Sequence, residues 1–115
     1  MALGALDNTL QCNYSIHMSK VRIEWDDNKN RANKRKHGVS FEEAATVFVD
    51  ERAILIDDPG HSSDEDRFLL LGTSAALRTL VVCHCYRESA ELIRVISARK
   101  ASRKERKTYE QRWSE

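Results

Sequence analysis

The sequence predicts one α+β domain, with helices packed on a curved antiparallel sheet in the order β-α-α-β-β-β-β-α. Three observations lead there. An early run alternates apolar and charged residues, two capping boxes announce helices, and four short apolar runs punctuated by turn residues precede the last helix. A length of 115 residues fits a single domain.

Val21-Arg22-Ile23-Glu24-Trp25 alternates as a half-buried strand does. Asp26 offers an N-cap and Asp27 suits a first helical turn. Asn28 to His37 then forms a very polar helix, stopped by Gly38. Ser40 and Glu43 make a capping box, and Phe41, Ala44, Ala45 and Phe48 recur at helical spacing to near Asp50. Ala53 to Ile56 is a short strand, turned by Asp57-Asp58-Pro59-Gly60. Arg67 to Gly72 follows, joined through Ser74-Ala75-Ala76 to Thr79–Tyr86, whose nearly unbroken apolar run marks the central strand. Arg87-Glu88-Ser89 turns the chain into Glu91–Ala98. The second capping box, Ser102 with Glu105, opens a last helix reaching about Trp113.

Residues 1–17 read as an N-terminal extension whose order the sequence leaves open, and 18–115 as the domain. Asp7, Asn8, Gln11 and Asn13 interrupt any apolar centre, so the extension fails as a signal peptide. No apolar run approaches the roughly 18 residues of a membrane span. Cys12, Cys83 and Cys85 are an odd number, which argues against a disulfide framework and for a reducing, cytoplasmic location. Cys83 and Cys85 share one face of a strand while His84 points to the other. With no second Cys/His pair at zinc spacing, they read as core residues, and no metal site is expected.

The net charge of +1 hides segregation. Lys20 to Lys36 is basic, Glu42 to Asp66 is acidic with Arg52 as its single cation, and Arg94 to Arg112 is basic again. Two such blocks can present a cationic surface to a polyanion even in a nearly neutral protein.

Several runs recur together in a known order. Ile23-Glu24-Trp25-Asp26 leads into Asn28-Lys29-Asn30-Arg31-Ala32-Asn33 and then Lys36-His37-Gly38-Val39-Ser40-Phe41-Glu42-Glu43-Ala44. Asp64-Glu65-Asp66-Arg67-Phe68 and Ile96-Ser97-Ala98-Arg99-Lys100-Ala101 follow. From about Lys20 to Glu110 the chain resembles the BrnT family of type II toxin–antitoxin systems. The resemblance implies a RelE-like ribonuclease fold and RNA cleavage that blocks translation and growth. It also implies neutralisation by a BrnA-type antitoxin with a ribbon-helix-helix domain, operator DNA being bound only through that complex. Neither a cofactor nor a membrane is implied.

Metal-independent cleavage of RNA uses the 2′-hydroxyl as nucleophile, so the protein must hold the phosphate, stabilise its growing charge and assist proton transfer. Arg94 stands among Leu92, Ile93, Val95 and Ile96, where a charge is either paired to an acid or aimed into a site. Arg67 begins its strand directly after three acids, which leaves a salt bridge as the alternative to catalysis. Arg99 and Lys100 lie where the last strand ends, before a helix N-terminus suited to phosphate. Arg99 is taken as catalytic and Lys100 as an RNA contact. Arg103, Lys104 and Arg106, with Lys34 and Arg35 of the first block, are expected to hold phosphates. His37 either caps the carbonyls of its helix or transfers protons. The competing function is a nucleic-acid-binding or interaction module that uses the same basic surface without chemistry.

Overall fold

The structure, a computed structural model, describes residues 14–18, 21–57, 67–87 and 91–113. Strand β1 (Tyr14–Met18) pairs antiparallel with β2 (Val21–Trp25), so part of the segment read as an extension is a strand of the sheet. Cys12, His61 and the Asp58-Pro59-Gly60 and Glu88-Ser89 turn residues lie outside the described residues.

Asp26 accepts a hydrogen bond from the Lys29 N–H and opens α1 (Asp27–His37). Gly38 closes that helix at φ 72°, in the left-handed region where glycine carries no Cβ penalty. Ser40 accepts from the Glu43 N–H to open α2 (Phe41–Ala45). The predicted α-helix to Asp50 is corrected here, because after Ala45 the chain tightens into a 3-10 helix (Thr46–Val49). The Thr46 hydroxyl donates back to the Glu43 carbonyl, and β-branched Thr46, Val47 and Val49 disfavour a continuing α-turn.

Helix α1 has no apolar stripe. Two buried asparagines fix it instead. Asn33 donates to the Val39 and Ala98 carbonyls and accepts from the Ala98 N–H, while Asn30 accepts from the Phe41 N–H and donates to Glu42. Buried amides satisfied on both ends cost little, and they set the helix register where apolar packing would leave it loose.

The six-stranded sheet has the order β1-β2-β6-β5-β4-β3. Strands β3 (Ile54–Asp57), β4 (Phe68–Thr73), β5 (Thr79–Arg87) and β6 (Leu92–Lys100) form the expected antiparallel meander. The wholly antiparallel sheet is corrected at one seam: β2 runs parallel to β6, with Glu24 opposite Arg94. Parallel neighbours need a long connection, and the helices together with the meander supply it.

Ile23, Trp25, Leu70, Leu80, Val82, Ile93, Val95 and Ala98 face one side of the sheet, under Val39, Phe41, Ala44, Ala45 and Val47. Trp25 and Phe41 meet there edge to face at 6.3 Å. Leu71 and Val81 face the other side, where Tyr109 of α3 (Arg103–Trp113) packs on them. The helices thus cover both faces of the sheet. Helix α3 starts with a reciprocal capping box: the Glu105 N–H donates to the Ser102 hydroxyl, and the Ser102 N–H to the Glu105 carboxylate. No described helix is long and apolar enough to cross a membrane.

Candidate active site

On a regular strand Arg94 and Arg99, five residues apart, would point to opposite faces. They do not, because β6 carries a bulge. Cys83 opposes Ser97 and His84 opposes Val95, so Ile96 is an extra residue that resets the side-chain alternation. Arg94 therefore pairs with Cys85 and Arg99 with Val81, two residues on the same face of β5. Both arginines stand on the face that carries α3.

Glu24, Arg94 and Cys85 form one row across three strands. Continuing the β4–β5 register one step before Phe68 places half-buried Arg67 next in that row. With strands about 4.8 Å apart, the Arg67 and Arg94 backbones lie about 10 Å from each other. Two long side chains can close over one phosphate at that span. The Arg99 row lies four residues further along β5, about 13 Å away.

Arg94 Nη2 is 3.3 Å from Glu24 Oε2, with the two side chains only 20% and 14% exposed. Arg94 Nε is buried and has no hydrogen-bond partner among the described residues. A buried donor left in this way costs about 1–3 kcal/mol.

Arg99 is held fork to fork by Glu105, with Nη1–Oε1 at 2.8 Å and Nη2–Oε2 at 2.9 Å. The Arg99 hydrogen bonds, acting against desolvation and helped by those from Ser102, hold the Glu105 carboxyl at about 2. Lys100 takes the opposite face, across from Leu80, where its charge reaches Glu43. The two cations read together at the strand end therefore part company.

Arg103, Lys104 and Arg106 are exposed on α3. Lys34 and Arg35 are exposed in the last turn of α1, and His37 is half-buried at its end. Helix α1 packs on the face away from Arg94, so His37, Lys34 and Arg35 stand behind the sheet. The structure brings Arg67, Arg94 and Arg99 to one face and leaves these three apart from them.

His84 is fully buried on the α1–α2 face, its ring 4.8 Å from Phe48, 5.3 Å from Tyr86 and 6.2 Å from Phe68. Burial pushes its pKa down, against the hydrogen bond to the Val82 carbonyl. Cys83 and Cys85 are buried on the opposite face.

Two groups escaped the sequence reading. Glu24 passes for a solvated residue of an alternating strand, and only the non-local β2–β6 register gives it to Arg94. Glu43, read as a helix cap, turns its carboxylate to Arg78 and Ser74 instead. The Arg78 hydrogen bonds lead in holding that carboxyl below its usual range. Arg78 also donates to the Gly38 carbonyl at 3.0 Å, which ties the β4–β5 turn to the α1–α2 junction.

A family model described as "Ribonuclease toxin, BrnT, of type II toxin-antitoxin system" matches residues 25–105. The crystal structure of the Brucella abortus ribonuclease toxin BrnT is similar, with a TM-score of 0.52 and 25% identity over 69% of this chain and 94% of that one. No curated protein matches the chain. The family match spans Arg67, Arg94, Arg99 and Glu105 and begins one residue after Glu24.

Proposed function

Because the chain belongs to the BrnT family of ribonuclease toxins of type II toxin–antitoxin systems, we propose that it cuts RNA without a metal ion, on the sheet face bearing Arg94 and Arg67. The observation that carries this reading is the Arg94 guanidinium, with one edge on Glu24 and its Nε donor unspent among the described residues. In this reaction the ribose 2′-oxygen bonds to the neighbouring phosphorus and loses its proton. The bond to the 5′-oxygen breaks, and that oxygen gains a proton. Negative charge builds on the non-bridging oxygens between these events. Arg94 and Arg67 meet it with planar forks that stay charged, and a contact of this kind lowers the barrier by on the order of 3–4 kcal/mol.

Arg99, steadied by Glu105, serves the phosphate next along the strand. Arg103, Lys104 and Arg106 hold flanking phosphates, joined by Lys100 and by Lys34 and Arg35 when the RNA passes round to the other face. His37 takes the helix-capping role rather than the catalytic one, because the sheet stands between it and Arg94. RNA cleavage then stops translation and growth in the cytoplasm. A BrnA-type antitoxin with a ribbon-helix-helix domain neutralises the toxin and carries the complex to operator DNA, and the fold is of the RelE-like kind. The cationic blocks and the ordered motif set support this reading.

The test is incubation of the purified chain with RNA in excess chelator. Fragments ending in 2′,3′-cyclic phosphate are expected. RNA that shifts on a gel yet stays intact overturns the chemistry and leaves a binding module.

A further inference from the structure

Among the described residues the large exposed apolar side chains are Val49 (63% exposed), Leu55 (51%), Ile56 (42%) and Leu77 (85%), set on the edge strand, the 3-10 helix before it and the β4–β5 turn. Leu55 and Ile56 belong to β3, which ends the sheet, so its outer N–H and C=O groups face no strand among the described residues. Proteins normally blunt such an edge with a short strand, charges, Pro or a bulge. Strand β3 is short and ends in Asp57, yet Leu55 and Ile56 stay exposed along it and no Lys or Pro stands between them.

Val49 ends the 3-10 helix just ahead of β3. With Thr46, Asp50, Thr73, Ala75 and Tyr109 it lines a cavity of about 320 Å³. Leu77 stands in the β4–β5 turn, its N–H bonded to the carbonyl of Ser74 at the same cavity. Its φ of 65° is a state that leucine adopts at a cost and glycine does not. A side chain so exposed returns little of that cost through packing within its own fold. Strain kept at an exposed apolar residue points to a contact made elsewhere.

We propose that this border, from Leu77 across the cavity to β3, is where the antitoxin of this type II pair docks. An extended antitoxin segment adds to β3 as an outer strand, with apolar side chains beside Leu55 on one face of the sheet and beside Ile56 on the other. This rests on the toxin reading for the existence of the partner. The charge of the border selects the kind of segment. Glu51 and Asp57 are exposed beside the edge and Asp50 forms part of the cavity wall, with Arg52 the single cation of that stretch. An apolar segment with basic flanks fits it, and RNA phosphate is repelled. A second copy of this chain fits poorly, because it would bring the same acids together over a strand of four residues. Such pairing falls short of the roughly 1,000 Å² a stable interface needs, whereas a longer foreign segment runs on to Leu77.

The test uses two full-length variants, the pair Leu55→Asp with Ile56→Asp, and Leu77→Gly alone. Each is assayed for RNA cleavage alone and for binding to the complete antitoxin encoded by the neighbouring reading frame. Affinity is expected to fall about tenfold or more in both, with RNA cleavage unchanged. Leu77→Gly relieves the backbone strain, so its Tm does not fall, and weakened binding there is not a folding defect. Wild-type affinity in both variants overturns the proposal. It is also overturned if the lone chain is a dimer that the β3 variant splits while antitoxin affinity persists. A wild-type chain that cuts no RNA but binds its antitoxin through this border sinks the nuclease reading and upholds the docking one.

Discussion

Arg94 answers to two demands at once. It neutralises Glu24 inside the fold and keeps a donor without a hydrogen-bond partner among the described residues, so its charge and its shape can be separated by substitution. Arg94→Lys keeps a cation opposite Glu24, and thermal denaturation should barely move. The planar fork is lost, and RNA cleavage should fall about a hundredfold. Unchanged cleavage in a well-folded Arg94→Lys protein would remove Arg94 from the site. Glu105 offers a second separation. Glu105→Gln retains a side chain competent for the capping box while removing the charge that holds Arg99. The folded carboxyl, at about 2, lies below its ordinary 4.5, so the unfolded chain takes up this proton first as pH falls. The stabilisation is therefore complete above 4.5 and fades toward 2. Both partners are at least a third exposed, which screens the pair to about 1 kcal/mol at most. Urea midpoints of wild type and Glu105→Gln should differ near neutrality and converge in that acid window, and parallel curves would contradict the ion pair.

At the scale of elements, the 3-10 helix presses on β4 at a position that only glycine allows. A Cβ on Gly72 would lie 2.9 Å from Asp50 Oδ2, 2.9 Å from Val47 Cγ1 and 3.0 Å from Ala53 Cβ. Gly72→Ala should cost about 1–3 kcal/mol and lower the melting temperature by several degrees. A variant as stable as wild type would show that the helix lifts freely. Strand β5 meets the same helix through His84, which touches Phe48. The buried ring resists protonation, whereas the unfolded one takes a proton near 6.5, so stability should drop as pH falls below 6.5. His84→Phe should flatten that slope in urea midpoints taken between about pH 7.5 and about 5. These elements were largely legible beforehand, since caps and alternation are local: Asp26, Gly38, Ser40 and Ser102 each sit where the helices start or stop. The 3-10 tail was not, because Phe48 keeps helical spacing in either form. The seam between β2 and β6 was not legible either, for nothing near Glu24 names its neighbour across the sheet.

Across the whole molecule, cations lie on both sides of the sheet, and an RNA strand has to be long enough to touch both. Neutralising Arg103, Lys104 and Arg106 together should lower the salt slope of RNA affinity by about 2, at about 0.7 per phosphate contact, for short and long RNA alike. Neutralising Lys34 and Arg35 should lower it by about 1.4 for long RNA and leave a short oligonucleotide unaffected. Equal losses on a short RNA would mean that both helices meet the same few phosphates. The sequence showed these blocks but not their sides, since side depends on how strands are phased against one another. Ile96 decides that phase for Arg99. A relative without the extra residue would carry an arginine of the same rank in its sequence on the other side of its sheet. Alignments of such chains need an anchor on each side of Ile96, and a one-residue gap placed there changes which arginines count as equivalent.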